Sequence, residues 1–355
     1  MTQARADRTR ITDEFEVPPH PSAHRRTALT RLRHRMEYAA AWTAHQVIGA
    51  LPYERAARMC GRFMSRLGPR LGAHRRALDT LALVWPDRPA AERERIARGV
   101  WDNLGQVAAD LAHLAEMETD RSRVRIEGAD ILDRIAADGK GAIFVSAHLA
   151  CWEAIRVAAR RQGLNPSMVY RAFNNPLVDA HTWRVLSGTG GGLFHKGHAG
   201  ARGIFRHLRG GGSVLMLVDQ RLNTGVEIDF FGRRVRAPGA AAELALRLGI
   251  PLVPVRAIRL APGRFRVCVE PPLSLPEGMG PRDPHAPAAL VQQVHRRFEA
   301  WIAEHPDQWF WLHRRWSGNV LAAPDAAADQ LSAAEQDRKP ATSPSSSRSG
   351  RISTR

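Results

Sequence analysis

The stretch GAIFVSAHLACWEAIRVAARR, Gly141–Arg161, decides how this chain is read. Ala142–Val145 is a short apolar run between a glycine and a turn, the pattern of a buried strand. It delivers His148 to a turn, and an amphipathic helical pattern runs over Ala150–Arg161. Glu153 follows His148 in an H-x-x-x-x-E spacing. A helix brings residues three or four apart onto one face, so this pair fits a strand-to-helix junction instead. His148 sits ahead of the helix and Glu153 in its first turns. Imidazole titrates near neutral pH and can take a proton from a hydroxyl. A nearby carboxylate can fix its tautomer and stabilise the imidazolium. The expectation is a general base, His148, oriented by Glu153. With 15 histidines in the chain such a spacing also arises by chance, so the surrounding blocks have to carry the reading.

Outward from this stretch the pattern is α/β. Strand-like runs fall at Val124–Ile126, Ala142–Val145, Ser167–Tyr170, Val214–Val218, Pro251–Ile258 and Phe265–Val269. Helical patterns lie between several of them, at Ala150–Arg161, Pro176–Leu186, Ala199–Leu208 and Gly239–Leu248. Apolar runs separated by helices predict a mainly parallel sheet flanked by helices. Ligands gather at the carboxyl ends of such strands. His148, Arg171 and Asp219 each follow a predicted strand, which points to one shared site.

Residues 26–117 read as an N-terminal helical region. Leu29, Leu32 and Met36 begin one stripe, Ala57, Cys60, Phe63 and Leu67 form a second, and Trp101, Leu104, Ala108 and Leu111 a third. Asp87 is a candidate cap for a helix starting near Pro89. Residues 1–25 read as a disordered arm, 118–321 as the α/β core with a last helix from about Ala288 to Glu304, and 322–355 as a disordered Ala/Ser/Arg-rich tail.

The formal net charge is +17, and only Lys140, Lys196 and Lys339 are lysines. Such a basic balance implies an anionic partner: nucleic acid, an anionic membrane or a phosphorylated substrate. No nucleic-acid motif is present, which leaves that partner a remote reading. Three scattered cysteines with no C-x-x-C exclude a zinc or disulfide framework and fit a reducing compartment. Cys151 is better read as packing filler than as a nucleophile. No secretory leader is visible. The uncharged stretch Tyr38–Tyr53 is shorter than the ~20 residues a span needs. Preceded by five arginines between Arg25 and Arg35, residues 28–52 read either as an interfacial helix or as an ordinary packed first helix.

Further blocks carry chemistry. Arg171 in VYRAFNNP could clamp a phosphate or hold an oxyanion. Asp219 and Gln220 in LMLVDQ could orient polar substrate groups. Phe230 and Phe231 could line an apolar cavity or simply be core. The Gly-rich stretch Gly188–Ala201 lacks P-loop and dinucleotide spacing, leaving a flexible substrate-side loop or a plain surface loop. QWFWLHRRW, Gln308–Trp316, could stack on bases, sit at a headgroup layer or pin the C-terminal segment to the core. No H-E-x-x-H or G-x-S-x-G occurs, so direct transfer onto a hydroxyl is simpler than a covalent relay.

In order, MEYAAAW, VWDNLGQVAADL, VRIEGADIL, FVSAHLACWE, VYRAFNNP, LMLVDQ, DFFG, APGAAAELALRLGIPLVPV and HPDQWFWLHRRW resemble the lipid A biosynthesis lauroyl/myristoyl acyltransferases, within the lysophospholipid acyltransferase superfamily. The resemblance runs from about Arg31 to Trp316. It implies a glycerolipid-acyltransferase-like fold and transfer of a fatty acyl chain, usually from acyl carrier protein, to a hydroxyl of a phosphorylated lipid A precursor. The place implied is the cytoplasmic face of the inner membrane. It implies His148 and Glu153 as the catalytic pair, Arg171, Asp219 and Gln220 as substrate-binding residues, and no cofactor or metal. Another lipid acceptor, such as a lysophospholipid or a glycosyl phosphoinositide, is the alternative.

Overall fold

The computed structural model describes residues 27–188 and 190–316; the expected arm 1–25 and tail 322–355 lie outside them. The described chain belongs to a unit that ends at Trp316.

Five helices come first: α1 (Ala28–Gly49), α2 (Tyr53–Leu67), α3 (Gly72–Val84), α4 (Ala90–Ala112) and α5 (Leu114–Thr119). The alternating part follows as β1 (Val124–Glu127), α6 (Ala129–Asp138), β2 (Ile143–Ser146), α7 (Glu153–Arg161), β3 (Ser167–Tyr170), α8 (Pro176–Ser187), β4 (Leu193–His195), α9 (His198–Arg209) and β5 (Val214–Leu217). A hairpin of β6 (Val226–Phe230) and β7 (Arg233–Ala237) leads to α10 (Ala240–Leu248), β8 (Leu252–Ala261), β9 (Arg264–Val269) and α11 (Ala286–Glu304).

Seven strands form one sheet in the order β1-β9-β8-β2-β5-β3-β4. All neighbours are parallel except β8 and β9. The central strand β2 is buried at every residue, as expected of a strand covered on both faces. Phe144, Leu215 and Val253 from three neighbouring strands share its core with Ile155 and Val157 of α7.

The helical region is tied to the sheet by a buried polar network. Asp110 of α4 takes a bidentate pair from Arg259 of β8 at 2.6 and 3.1 Å and the Tyr53 hydroxyl of α2 at 2.9 Å. Helices α2 and α4 cross closely because Gly61 and Gly105 lie at the contact; a Cβ on Gly105 would run into the Cys60 carbonyl.

Several expectations change. Strand β4 and the β6–β7 hairpin were not anticipated as strands, and the Phe231–Gly232 turn joins the hairpin with φ of +52° and +68°, the geometry of a two-residue hairpin loop. Asp87 caps nothing: α4 starts after Pro89 with no side-chain cap. Leu29, Leu32 and Met36 of α1 and Phe63 and Leu67 of α2, whose side the stripes left open, are exposed.

Candidate active site

His148 hangs from the turn after β2. The parallel register sets Ser146 opposite Leu217, and carrying it past both strand ends brings His148 against Asp219. Asp219 is fully buried. Its Oδ1 accepts from His148 Nδ1 at 2.6 Å. Its Oδ2 accepts from the His148 backbone N–H at 2.9 Å and from Trp309 Nε1–H at 2.8 Å. An ionised carboxylate can only accept, so the ring proton is on Nδ1 and Nε2 is the free base. Burial alone would raise the Asp219 carboxyl, but the His148 ring and its hydrogen bonds outweigh burial and hold it well below the usual carboxylate range.

The C-terminal aromatic segment straps this turn in place. Ala150 N–H donates to the Gln308 carbonyl at 3.0 Å and Phe310 N–H to the His148 carbonyl at 3.1 Å, around a bridge between Leu149 and Trp309. Ala150 sits at φ +44°, a left-handed conformation that costs a non-glycine residue about 1–2 kcal/mol. The strap is what holds it there. Gln308 in turn exchanges hydrogen bonds with the Arg259 backbone at 2.8 and 3.1 Å, so the network at Asp110 continues to the His148 turn.

Around the free Nε2 stand Gln220, with its amide nitrogen at 3.4 Å, and the rings of His313, at 4.9 Å centroid to centroid, and Trp152, at 5.3 Å. Burial pulls the His313 imidazole down to about 4, so at neutral pH it adds no charge beside His148. An apolar cavity of about 80 Å³ opens at His148, walled by Val100, Leu104 and Val107 of α4 and by Ala150, Trp152 and Phe310.

The structure brings together His148, Asp219 and Gln220, and it places Glu153 and Arg171 elsewhere. The carboxylate that orients His148 is Asp219, not Glu153. Glu153 is buried at the first residue of α7 and its Oε2 accepts from Arg156 at 2.8 Å. Arg156, also buried, donates onward to the carbonyls of Pro166, Leu186, Gly190 and Gly191. The local H-x4-E spacing pointed to the wrong carboxylate because strand pairing, not chain proximity, delivers the partner. Asp219 has no surface left for substrate, which corrects its expected substrate-binding role. Arg171 follows β3 and is exposed. Of the Gly-rich stretch, Gly190 to Gly192 lie at the amino end of β4, where the Gly190 and Gly191 carbonyls accept from Arg156, and the rest continues as β4 and the start of α9. Phe230 is core, packed on Trp309 and Trp316. Cys151 is buried, and burial pushes its thiol well up, so it stays protonated and packs.

Trp309, Phe310 and His313 stand at the site, a place none of the three sequence readings of Gln308–Trp316 (base stacking, headgroup layer, C-terminal pin) gives them. The signal was the aromatic cluster itself: the pin and the site wall are the same segment.

His148, Asp219 and His313 are also the group, among the described residues, that could offer a metal three ligand atoms within 4.8 Å of one another. The 2.6 Å contact between His148 and Asp219 is shorter than the roughly 3.3 Å between two ligands on a tetrahedral zinc. It is the length of a charge-assisted hydrogen bond, and the trio fits a proton-handling site better than a metal centre.

A base at the end of a parallel sheet, with its free nitrogen beside a hydrocarbon-lined wall, suits activation of a hydroxyl next to a fatty chain, as in an acyltransferase. The chain belongs to the bacterial lipid A biosynthesis acyltransferase family, whose model matches residues 24–317. It is similar to the lipid A biosynthesis myristoyltransferase of Escherichia coli, 25% identical over 261 residues, covering 71% of this chain and 77% of that one. It is similar to the lipid A biosynthesis palmitoleoyltransferase of the same organism, 28% identical over 268 residues, 70% and 83%. It is also similar to a phosphatidylinositol mannoside acyltransferase of Mycobacterium tuberculosis, 27% identical over 320 residues, 86% and 94%.

Proposed function

We propose that the protein moves a fatty acyl chain of the lauroyl or myristoyl class from an acyl thioester on acyl carrier protein to a hydroxyl of a lipid A precursor, at the cytoplasmic face of the inner membrane. The observation that carries the chemistry is the His148–Asp219 pair with Nε2 left free beside an apolar cavity. Nε2 takes the proton of the acceptor hydroxyl, whose oxygen attacks the thioester carbonyl. Asp219 holds the tautomer and stabilises the imidazolium. The Gln220 amide, 3.4 Å from Nε2, is in reach of the oxyanion. Collapse expels the thiolate, which takes the proton from His148. In this reading Glu153 is a positioning residue that acts through Arg156, and Arg171 is left to bind phosphate or carrier protein. The basic surface favours both an acidic carrier protein and a phosphorylated glycolipid.

A second reading is favoured by the longer match to the phosphatidylinositol mannoside acyltransferase: the acceptor is a glycosyl phosphoinositide, with the same base and the same donor chemistry.

The test is mass spectrometry of products from membranes holding the protein or its His148→Ala variant. They are given lauroyl- and myristoyl-acyl carrier protein and, in separate arms, a tetra-acylated lipid A precursor or a mannosylated phosphoinositide. One added acyl chain on the lipid A precursor, lost in the variant, supports the first reading. Gain only on the phosphoinositide moves the assignment to the second.

A further inference from the structure

Helix α1 is amphipathic the wrong way round for a water-soluble fold. The side it turns to the protein carries Thr30, His34, Tyr38 and His45, with Ile48 packed on the core at its end. Of these, His34 is buried and accepts from Asn175 through its carbonyl at 2.9 Å, and Tyr38 and His45 meet the His181 ring. At 3.6 residues per turn the opposite side carries Leu29, Leu32, Met36, Ala40, Thr43 and Val47. All six are exposed, Leu29 to 77% and Met36 to 66%. Helix α2 and the turn after it, through Leu71, add two parallel rows at four-residue spacing. Met59, Phe63, Leu67 and Leu71 form an apolar ridge, with Phe63 exposed to 63%. Arg58, Arg62, Arg66 and Arg70 run beside it, and none meets a carboxylate among the described residues. Of the twelve large apolar side chains exposed among the described residues, nine lie between Leu29 and Leu71. Two more, Phe173 and Leu177, flank Asn175 where α8 is fastened to α1.

We infer that the outer faces of α1 and α2 form one seat for an anionic lipid bilayer, lying in the headgroup plane rather than crossing it. Among the described residues no helix is long and apolar enough to cross a membrane. An apolar ridge immersed beside a row of guanidiniums is the interfacial arrangement, with phosphate groups meeting the arginines. The cations select the occupant. A second copy seated on the same face would bring one four-arginine row against another, whereas an anionic leaflet neutralises both helices. Phe173 and Leu177 extend the seat to the loop that carries Arg171, so the acceptor enters the site from the leaflet. The inference deepens the membrane part of the reading above and stands apart from the acyl chemistry, since His148→Ala, expected to lose transfer, must still bind.

The test is flotation of the full chain with vesicles of phosphatidylcholine alone or with phosphatidylglycerol, at low and high salt. Wild type and His148→Ala are expected to float with the anionic vesicles and to be released by salt. Arg62→Gln/Arg66→Gln should weaken binding about 30-fold, from about five-fold per surface arginine. Met59→Gln/Phe63→Gln should weaken it at least ten-fold. Both variants alter exposed side chains, so unchanged melting curves keep the comparison fair. Amide exchange should slow over α1 and α2 when vesicles are added. Equal flotation of the variants and wild type overturns the proposal. So does absence of vesicle binding together with a dimer that Met59→Gln/Phe63→Gln dissociates, which gives the face to a second copy.

Discussion

His148 has one nitrogen spoken for and one open, and the two buried carboxylates near it divide their work accordingly. Asp219 touches the ring; Glu153 touches an arginine. Asp219→Asn keeps the shape but no longer enforces the Nδ1–H tautomer, so kcat should fall about 10³–10⁴-fold with KM little changed, read by steady-state acyl transfer. Glu153→Ala leaves the Arg156 charge buried without a counter-ion and should cost about 3–5 kcal/mol of stability, read by denaturant melts. The outcome that sinks this division is an Asp219→Asn enzyme with near-normal kcat, or a Glu153→Ala protein that melts like wild type. His148, Asp219 and Gln220 were legible in the sequence because each ends a short apolar run. Who pairs with whom was not, since a contact across β2 and β5 leaves no mark in local spacing.

At the scale of elements, the strap from Gln308 to Phe310 decides whether the His148 turn holds its left-handed Ala150. Trp309→Phe keeps an aromatic ring, smaller than the indole, and removes the N–H that meets Asp219 Oδ2 at 2.8 Å. It should cost about 2 kcal/mol of stability and about ten-fold in kcat as the base loosens, measured by melts and single-turnover rates. The six strands read from apolar runs are present, because continuous apolar stretches bounded by turns have few other uses. β4 was too short to register, and the hairpin hid behind arginines that alternate with Val235 and Ala237 on its exposed side. The side chosen by Leu29, Met36 and Phe63 stayed open in the sequence for a different reason. Periodicity reveals an apolar stripe but does not say whether protein or lipid lies against it.

For the whole molecule, histidines that burial holds neutral shape the response to acid, His295 and His313 most strongly and His45 and His207 in the same direction. Burial pulls His295 down to about 3 and His313 to about 4, from 6.5. Between those values and 6.5 the unfolded chain takes up protons that the folded chain refuses, so stability falls as pH drops through that window. Asp219, held low, loses its contribution only below the ordinary carboxylate range. Denaturant titrations at about pH 7, 5.5 and 4.5 should show the decline, and His295→Gln should flatten it. A curve level from pH 7 to about 4.5 would count against neutral burial of both rings. The net charge of +17 adds self-repulsion in the same direction.

The strap carries one further consequence, for the order in which a cell makes this protein. His148 and Asp219 leave the ribosome well before Gln308, Trp309 and Phe310, yet those last residues supply the bridge across Leu149 and Ala150. A nascent chain arrested before Gln308 can set His148 against Asp219 through β2 and β5, but it lacks the segment that fixes Ala150 and meets Asp219 Oδ2. Competence for chemistry is thus withheld until translation has passed the strap, while α1 and α2 have emerged long before.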